Sequence, residues 1–222
     1  NMRYSIPHPP VIRRVELKCA KTKEFLGVTI DDKLNFSEHY SIVCSRLARS
    51  VGVMYKLRCF VSNSTLKKIY FSLCYSYMSY AIAVWGNCPD IFSCKVAVLQ
   101  RRAVRLLELG RSSNDIFSEL SRLKFTVAYK YFVSIKLIHG GHNYFLNRIL
   151  SSQVSHNFHT RLSTKDQIRL PFCRTAKAQN AFLYQSVSLW NSIPSNIRNC
   201  ESIGKFKRKF KEFLITSQSP IK

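Results

Sequence analysis

The sequence predicts a mainly α protein: a helical bundle preceded by a short β-hairpin, with a second small helical subdomain at the C-terminus. Three observations predict it. Glycine and proline number only 7 each in 222 residues, so helix breakers are scarce and collagen-like or linker-dominated chains are excluded. Apolar residues recur at intervals of three and four through most of the chain, the period of one helix face. Runs of β-prone residues are confined to the N-terminal end. With 46% hydrophobic residues, the chain can fill a core and is not a disordered basic tail.

The elements follow in order. Asn1 precedes Met2, which reads as a piece of a longer chain. Pro7, Pro9 and Pro10 hold the first residues extended. Val11–Leu17 and Glu24–Ile30 are β-prone and joined by the polar Lys18–Lys23, which predicts a hairpin between them. After Asp31-Asp32 the period becomes helical. Ser37 is the expected N-cap of a helix to about Arg58, with Tyr40, Cys44, Leu47, Val51 and Met54 on one face and Arg46, Arg49 and Lys56 on the other. Asn63 or Ser64 opens the next helix. From Ile69 to Pro89 there is no charge, a length that would permit a membrane span. Its four tyrosines (Tyr70, Tyr75, Tyr77 and Tyr80) and the closing Gly86-Asn87-Cys88-Pro89 favour instead a central buried helix. Ser72, Ser76, Ser79 and Ala83 would form a small-residue stripe for close helix approach.

A third helix is expected from Ser93 to Leu109, with Val96, Leu99, Ala103 and Leu107 inward. Lys95, Arg101, Arg102 and Arg105 fall within about one third of the opposite circumference at 3.6 residues per turn. Asn114 would cap a short helix to Leu123. Thr126 would cap a longer one bearing Val127, Tyr131, Ile135 and Ile138, stopped by Gly140-Gly141. Residues 151–167 read as a basic loop, and Ala176–Ser192 as a helix stopped before Pro194. Ser202 caps a last helix with Ile203, Phe206, Phe210 and Phe213 inward and Lys205, Lys207, Arg208, Lys209 and Lys211 outward. The expected organisation is 1–36, 37–110 and 111–222.

Charge narrows the function. There are 35 Lys+Arg against 12 Asp+Glu, net +23. Residues 1–111 carry 18 basic and 7 acidic groups and residues 112–222 carry 17 and 5, so the charge is not a single basic arm. A surface basic throughout points to a polyanion, with nucleic acid ahead of an anionic membrane. A membrane-surface role for Lys205–Lys211 and a helical protein-interaction module remain the other classes.

Chemistry-bearing clusters are weak. The metal candidates Cys88-x5-Cys94, His139-x2-His142, and His156-x2-His159 with Cys173 lack the paired spacing of zinc sites, and no metal site is expected. Cys44, Cys59 and Cys74 sit in helical apolar patterns and read as buried thiols. With no signal-peptide pattern in residues 1–20, a reducing compartment, nuclear or cytoplasmic, is expected. Asp31-Asp32 is the sole carboxylate pair, and two-metal phosphoryl transfer needs clustered carboxylates. It leads into a helix rather than a second strand, so no catalytic residue is assigned. Neither a phosphate-cradling glycine loop nor a Gly-x-Ser-x-Gly elbow is present.

Five stretches together carry a resemblance. They are Phe25-Leu26-Gly27-Val28-Thr29-Ile30-Asp31; Ser79-Tyr80-Ala81-Ile82-Ala83-Val84-Trp85-Gly86; Leu99-Gln100-Arg101-Arg102-Ala103-Val104-Arg105; Arg169-Leu170-Pro171-Phe172-Cys173-Arg174-Thr175; and Leu189-Trp190-Asn191-Ser192-Ile193-Pro194 leading to Phe206–Lys211. In this order they resemble the C-terminal part of the reverse transcriptases of non-LTR (LINE-type) retrotransposons of the jockey and CR1 kind, over about residues 11–214. The resemblance implies that Phe25, Leu26 and Gly27 belong to the primer grip, that the following helices form the thumb, and that the rest is the C-terminal region. It implies partners in RNA and DNA, as primer–template or element RNA, and in the palm and fingers of the same polymerase. The family's Asp-Asp hairpin, which would use Mg, lies upstream of the Phe-Leu-Gly strand and has no counterpart here, so no cofactor is expected in this chain. Arg46, Arg49, Lys56, Lys95, Arg101, Arg102, Arg105, Arg174, Lys205, Lys207, Arg208, Lys209 and Lys211 are the expected phosphate-contacting cations.

Overall fold

Main-chain pairing at the N-terminal end runs within each β-prone stretch, not between the two. In the computed structural model, which describes residues 11–12, 15–16, 20–87, 90–108, 113, 116–117, 123–139, 168 and 170–217, β1 (Val11–Ile12) pairs antiparallel with β2 (Val15–Glu16), and β3 (Thr22–Phe25) with β4 (Val28–Asp31). The expected pairing of 11–17 with 24–30 is therefore corrected. Phe25 lies opposite Val28, leaving Leu26-Gly27 as a two-residue turn with φ of 48° and 75°. Two successive positive φ values match the right-handed twist of a tight hairpin. Gly27 adopts this freely and Leu26 at a cost of about 1 kcal/mol. A two-residue loop also closes at less entropy than the longer Lys18–Lys23 connection.

The chain divides into two units, residues 1–42 and 43–222. In the first, the Asp31 carboxylate accepts from the Lys33 and Asn35 amides at 3.0 and 2.8 Å, an Asx-type turn. Leu34 and Phe36 follow at φ 55° each, and α1 (Ser37–Leu57) begins. His39 Nδ1 accepts the Thr29 amide at 3.3 Å, tying β4 to the first turn of the helix. Val28, His39 and Tyr40 are buried.

In the second unit the remainder of α1 buries Val43, Leu47, Ser50 and Met54 and keeps Arg46, Arg49 and Lys56 exposed; its periodicity predicts Leu47, Met54 and the three cations, whereas Cys44 and Val51, expected inward, are half-buried. The expected central helix over 69–89 is broken. It comprises α2 (Asn63–Ile69), a π-helical segment (Tyr70–Tyr75), α3 (Ser76–Ser79) and α4 (Ile82–Trp85). Ser62, rather than Asn63 or Ser64, is the N-cap, its hydroxyl accepting the Thr65 amide at 3.3 Å. Leu66, Tyr70, Cys74, Met78 and Ile82 are buried. Steps of four rotate a stripe by about 40° each on an ideal α-helix. The wider π turn rotates it back, so a four-residue period stays on one side. Tyr80 is extended and Ala81 left-handed at φ 49°, which ends the helix and restarts it.

That break is locked by Trp85. Its Nε1 donates to the Tyr80 carbonyl at 2.8 Å, and its fully buried ring stacks on Phe125 at 5.5 Å. Only part of the expected small-residue stripe turns inward: Ser79 and Ala83 are half-buried, whereas Ser72 and Ser76 are exposed. Their hydroxyls donate to the Ile69 and Ser72 carbonyls, groups near which the π segment loosens the regular ladder.

α5 spans Asp90–Arg105 and α6 spans Phe125–His139. α6 is the hub, packing against α3, α4, α5, α8 (Phe182–Ser192) and α10 (Ile203–Ser217). Five neighbours explain why it buries Phe125, Ala128, Tyr129, Val133, Ser134 and Leu137 rather than the single stripe of Val127, Tyr131 and Ile135 expected from its period, which are half-buried. Two single-turn helices, α7 (Ala176–Gln179) and α9 (Ser195–Arg198), complete the unit. α10 buries Phe206, Phe210 and Leu214. Ile203, its first residue, and Phe213, stacked on Phe210 at 6.5 Å, are exposed instead of inward. The expected features at Asn114, Gly140-Gly141 and 151–167, and the side chain of Ile138, lie outside the described residues.

Candidate nucleic-acid interface

The α5 cations come from a helix whose inner side is fixed by one buried amide. Gln100 is 2% exposed. Its Oε1 accepts the Phe125 amide at 2.8 Å, and its Nε2 reaches the Leu123 carbonyl at 3.3 Å and the Tyr70 hydroxyl at 3.4 Å. Gln100 thus caps α6 from another element, in place of the expected Thr126. It also sets the rotation of α5, which turns Lys95, Arg101, Arg102 and Arg105 outward, all exposed. No carboxylate pairs with Arg101, Arg102 or Arg105 among the described residues. The acid nearest the end of this helix, Glu108, is engaged by Lys67 at 3.3 Å.

This face holds positive charge against its own repulsion. The Lys124 ammonium has its pKa lowered, first by burial and then by the charge of Arg101. Lys95, at the other end of α5, acts on the Cys44 thiol of α1. Burial raises the Cys44 pKa and Lys95 lowers it again in part. Lys124 was not singled out by the sequence, because it lies outside any helix and only the packing of α6 on α5 brings it to Arg101.

On α1, Arg46 places its guanidinium 5.2 Å from the centroid of the Tyr77 ring, and Arg49 Nε donates to the Ser45 carbonyl at 3.4 Å. Lys56 is exposed. Neither arginine pairs with a carboxylate among the described residues. On α10, Lys205, Arg208 and Lys209 are exposed and Lys207 and Lys211 half-buried. Lys205 is bound to Glu201 Oε2 at 2.8 Å, an exposed pair one turn apart that contributes little to stability. Arg174 lies 5.8 Å from the Phe172 ring, which is 87% exposed. In the first unit, Phe25, Leu26 and Gly27 form the tip of the β3–β4 hairpin rather than a continuous strand, with Phe25 65% and Leu26 74% exposed.

Three of the motif residues without charge prove structural. Asn191 pairs with the backbone of Ile168. Trp190 stacks on Phe206 at 6.2 Å. Gly86 sits so close to Ile82 and Tyr129 that an added Cβ would lie 2.5 Å from the Ile82 carbonyl oxygen. Of the cysteines expected inside, Cys74 is buried, its thiol meeting Met54 Sδ at 3.7 Å. Cys44 is half-buried and Cys59 exposed, since Cys59 falls beyond the end of α1.

Among the described residues no group of three His, Cys, Asp or Glu side chains could hold a metal. Asp31 is used by its turn and Asp32 is exposed. Cys88, His142, His156 and His159 lie outside the described residues. No described helix is long and apolar enough to cross a membrane.

Known proteins add one relation. No family model matches, and no solved structure matches. Over 109 residues, 48% of this chain, the sequence is 28% identical to the probable RNA-directed DNA polymerase from transposon X-element of Drosophila melanogaster. The chain is related to a transposon RNA-directed DNA polymerase. The matched stretch is 12% of that protein. This agrees with the retrotransposon resemblance carried by the motifs, from an independent alignment.

Proposed function

We propose that this chain is the primer-grip, thumb and C-terminal part of a non-LTR retrotransposon reverse transcriptase, and that it holds primer–template or element RNA without catalysing synthesis. The observation that carries the proposal is the outer face of α5, where no carboxylate pairs with Arg101, Arg102 or Arg105 among the described residues. Lys95, Arg101, Arg102 and Arg105 are exposed together, and the charge of Arg101 reaches the half-buried Lys124. A helix can carry a charged outer face for solubility alone, but such faces mix signs. A run of cations with no carboxylate partner among the described residues suits a row of phosphates, which supply counter-charge.

In this reading the buried Gln100 and the Trp85–Phe125 stack are the frame, and the arginine and lysine heads are the contact. Arginine forks match phosphate oxygens in pairs. Contacts of that kind read backbone shape and no base edge, so an RNA–DNA hybrid would be held by its A-like geometry regardless of sequence. In the first unit, the hairpin tip at Phe25-Leu26-Gly27 is assigned to the primer grip. The palm and fingers of the same polymerase would supply the Asp-Asp site and its Mg.

The test is binding of a fluorescent hybrid duplex across a salt series. Affinity should fall linearly on a log–log plot, with a slope of about −0.9 for each phosphate neutralised on a duplex. A flat response would end the proposal.

A further inference from the structure

The outer side of α1 and the segment α3 carry a feature that duplex clamping does not use. Tyr77 is 39% exposed and Tyr80, at the helix break, 56% exposed. The Arg46 guanidinium lies 5.2 Å from the Tyr77 ring centroid. Apart from Arg46, Tyr77 makes no hydrogen bond or ring contact with another group among the described residues. Arg49 and Lys56 continue along the exposed side of α1, at the three- and seven-residue steps that bring positions back to one face. Val84, one turn beyond Tyr80, is 57% exposed.

We propose that this surface binds an unpaired stretch of nucleic acid, with a base stacked on Tyr77 and Arg46 and the following phosphates on Arg49 and Lys56. The inference deepens the proposed function and rests on it. A duplex buries its base faces, so exposed rings gain nothing from it. A single strand offers a π face at every nucleotide, and aromatic rings flanked by cations are the combination that holds single strands without reading sequence. Arginine beside a ring adds its own planar face to the platform. The tyrosines are positioned by the backbone break: Tyr80 is extended and Ala81 left-handed, and Trp85 Nε1 holds the Tyr80 carbonyl at 2.8 Å. The platform therefore has a rigid base. The occupant is a single strand, the template or element RNA beyond the paired region.

The full chain is titrated with a fluorescent uridine 20-mer and, separately, with a blunt RNA–DNA hybrid. Y77A should weaken binding of the single strand about tenfold, by loss of one stacked base, and leave hybrid binding unchanged. Y77F should bind like the native chain, since stacking uses the ring and the hydroxyl has no partner among the described residues. R46A should weaken the single strand more than the hybrid, and R46K should restore only part. Thermal melting of each variant should match the native chain, because both side chains are on the surface. Native-like binding of the uridine 20-mer by Y77A overturns the inference and leaves the Arg46–Tyr77 contact as a tie between α1 and α3. Equal losses for both ligands in R46A with Y77A silent also overturn it, assigning Arg46 to phosphate alone. If hybrid binding is salt-dependent and the single strand does not bind, this inference alone falls. If neither ligand binds at low salt, the proposed function falls with it.

Discussion

Asn191 holds both backbone polar groups of Ile168. Its Oδ1 accepts the Ile168 amide at 2.9 Å and its Nδ2 donates to the Ile168 carbonyl at 2.7 Å, as a neighbouring strand would. Ile168 is 8% exposed and packs with Val187 and Trp190. The clamp therefore joins the start of the Leu170-Pro171-Phe172 stretch to α8. N191A leaves two partly buried groups without partners, a cost of about 2 kcal/mol. Chemical denaturation should show that loss, and hydrogen exchange at the Ile168 amide should accelerate. N191D keeps the acceptor but loses the donor, so it should protect the amide while still lowering stability.

Gly86 owes its place to space rather than to backbone freedom. Its φ is −71°, open to any residue. An added Cβ, however, would lie 2.5 Å from the Ile82 carbonyl oxygen and 2.7 Å from Tyr129 Cδ2. Tyr129 is buried, so α4 and α6 would have to separate. G86A should destabilise by about 1–3 kcal/mol, the range for overpacking. G52A is the control: Gly52 sits on the exposed side of α1 with nothing within 4 Å. It should stabilise by up to about 1 kcal/mol through helix propensity. Paired melting curves measure both.

How much of this was legible depends on where the deciding force lies. α1 and α5 were largely readable because each buries one side and leaves the other in water, so period and exposure agree at most positions, with Cys44, Val51 and Leu99 half-buried instead of inward. The outward turn of Arg101, Arg102 and Arg105 follows directly. The 69–89 stretch was misread as one helix because composition reports the absence of charge, not the phase of the turns. A stripe at Leu66, Tyr70, Cys74, Met78 and Ile82 needs a π segment to stay on one side, and the break at Tyr80-Ala81 is fixed by Trp85 from five residues away. Long-range partners left no local signal: Gln100 capping α6, Lys124 facing Arg101, and Asn191 clamping Ile168 each bridge 23 or more residues. The hairpin was placed in the right region but paired wrongly, since Gly27 serves a two-residue turn where an extended strand was expected.

Two buried acids with weak protons make the fold sensitive to base. Burial pushes the Cys74 thiol and the Tyr129 phenol each up to about 12, from ordinary values of 9.0 and 10.0. A raised folded-state pKa favours the protonated group in the native state. That stabilisation is fully present below the unfolded values and is lost as pH rises from about 9 toward 12. Lys124, with its pKa lowered by burial and by Arg101, acts in the opposite sense. Melting temperature should hold steady up to about pH 8 and then decline, and C74A should flatten part of that decline. In alkylation at pH 8, the exposed Cys59 and Cys94 should react well before Cys74, whose thiolate is scarce and enclosed.

The α5 face separates binding from folding more sharply than any other part of the chain. Arg101, Arg102 and Arg105 are exposed and none is paired with a carboxylate among the described residues, so replacing all three by alanine removes charge without opening the core. Melting should move little, with one exception in the stabilising direction: Lys124 loses a like-charged neighbour and its pKa should rise toward the ordinary lysine value of 10.5. Hybrid-duplex affinity should drop, and the log–log salt slope should become shallower by about 2–3, close to 0.9 for each phosphate no longer neutralised. Lysine replacements keep the charge but lose the fork, so they should preserve the slope while lowering affinity at fixed salt. An unchanged slope in the alanine triple variant would place the phosphates on other cations of α1 or α10 and remove α5 from the interface.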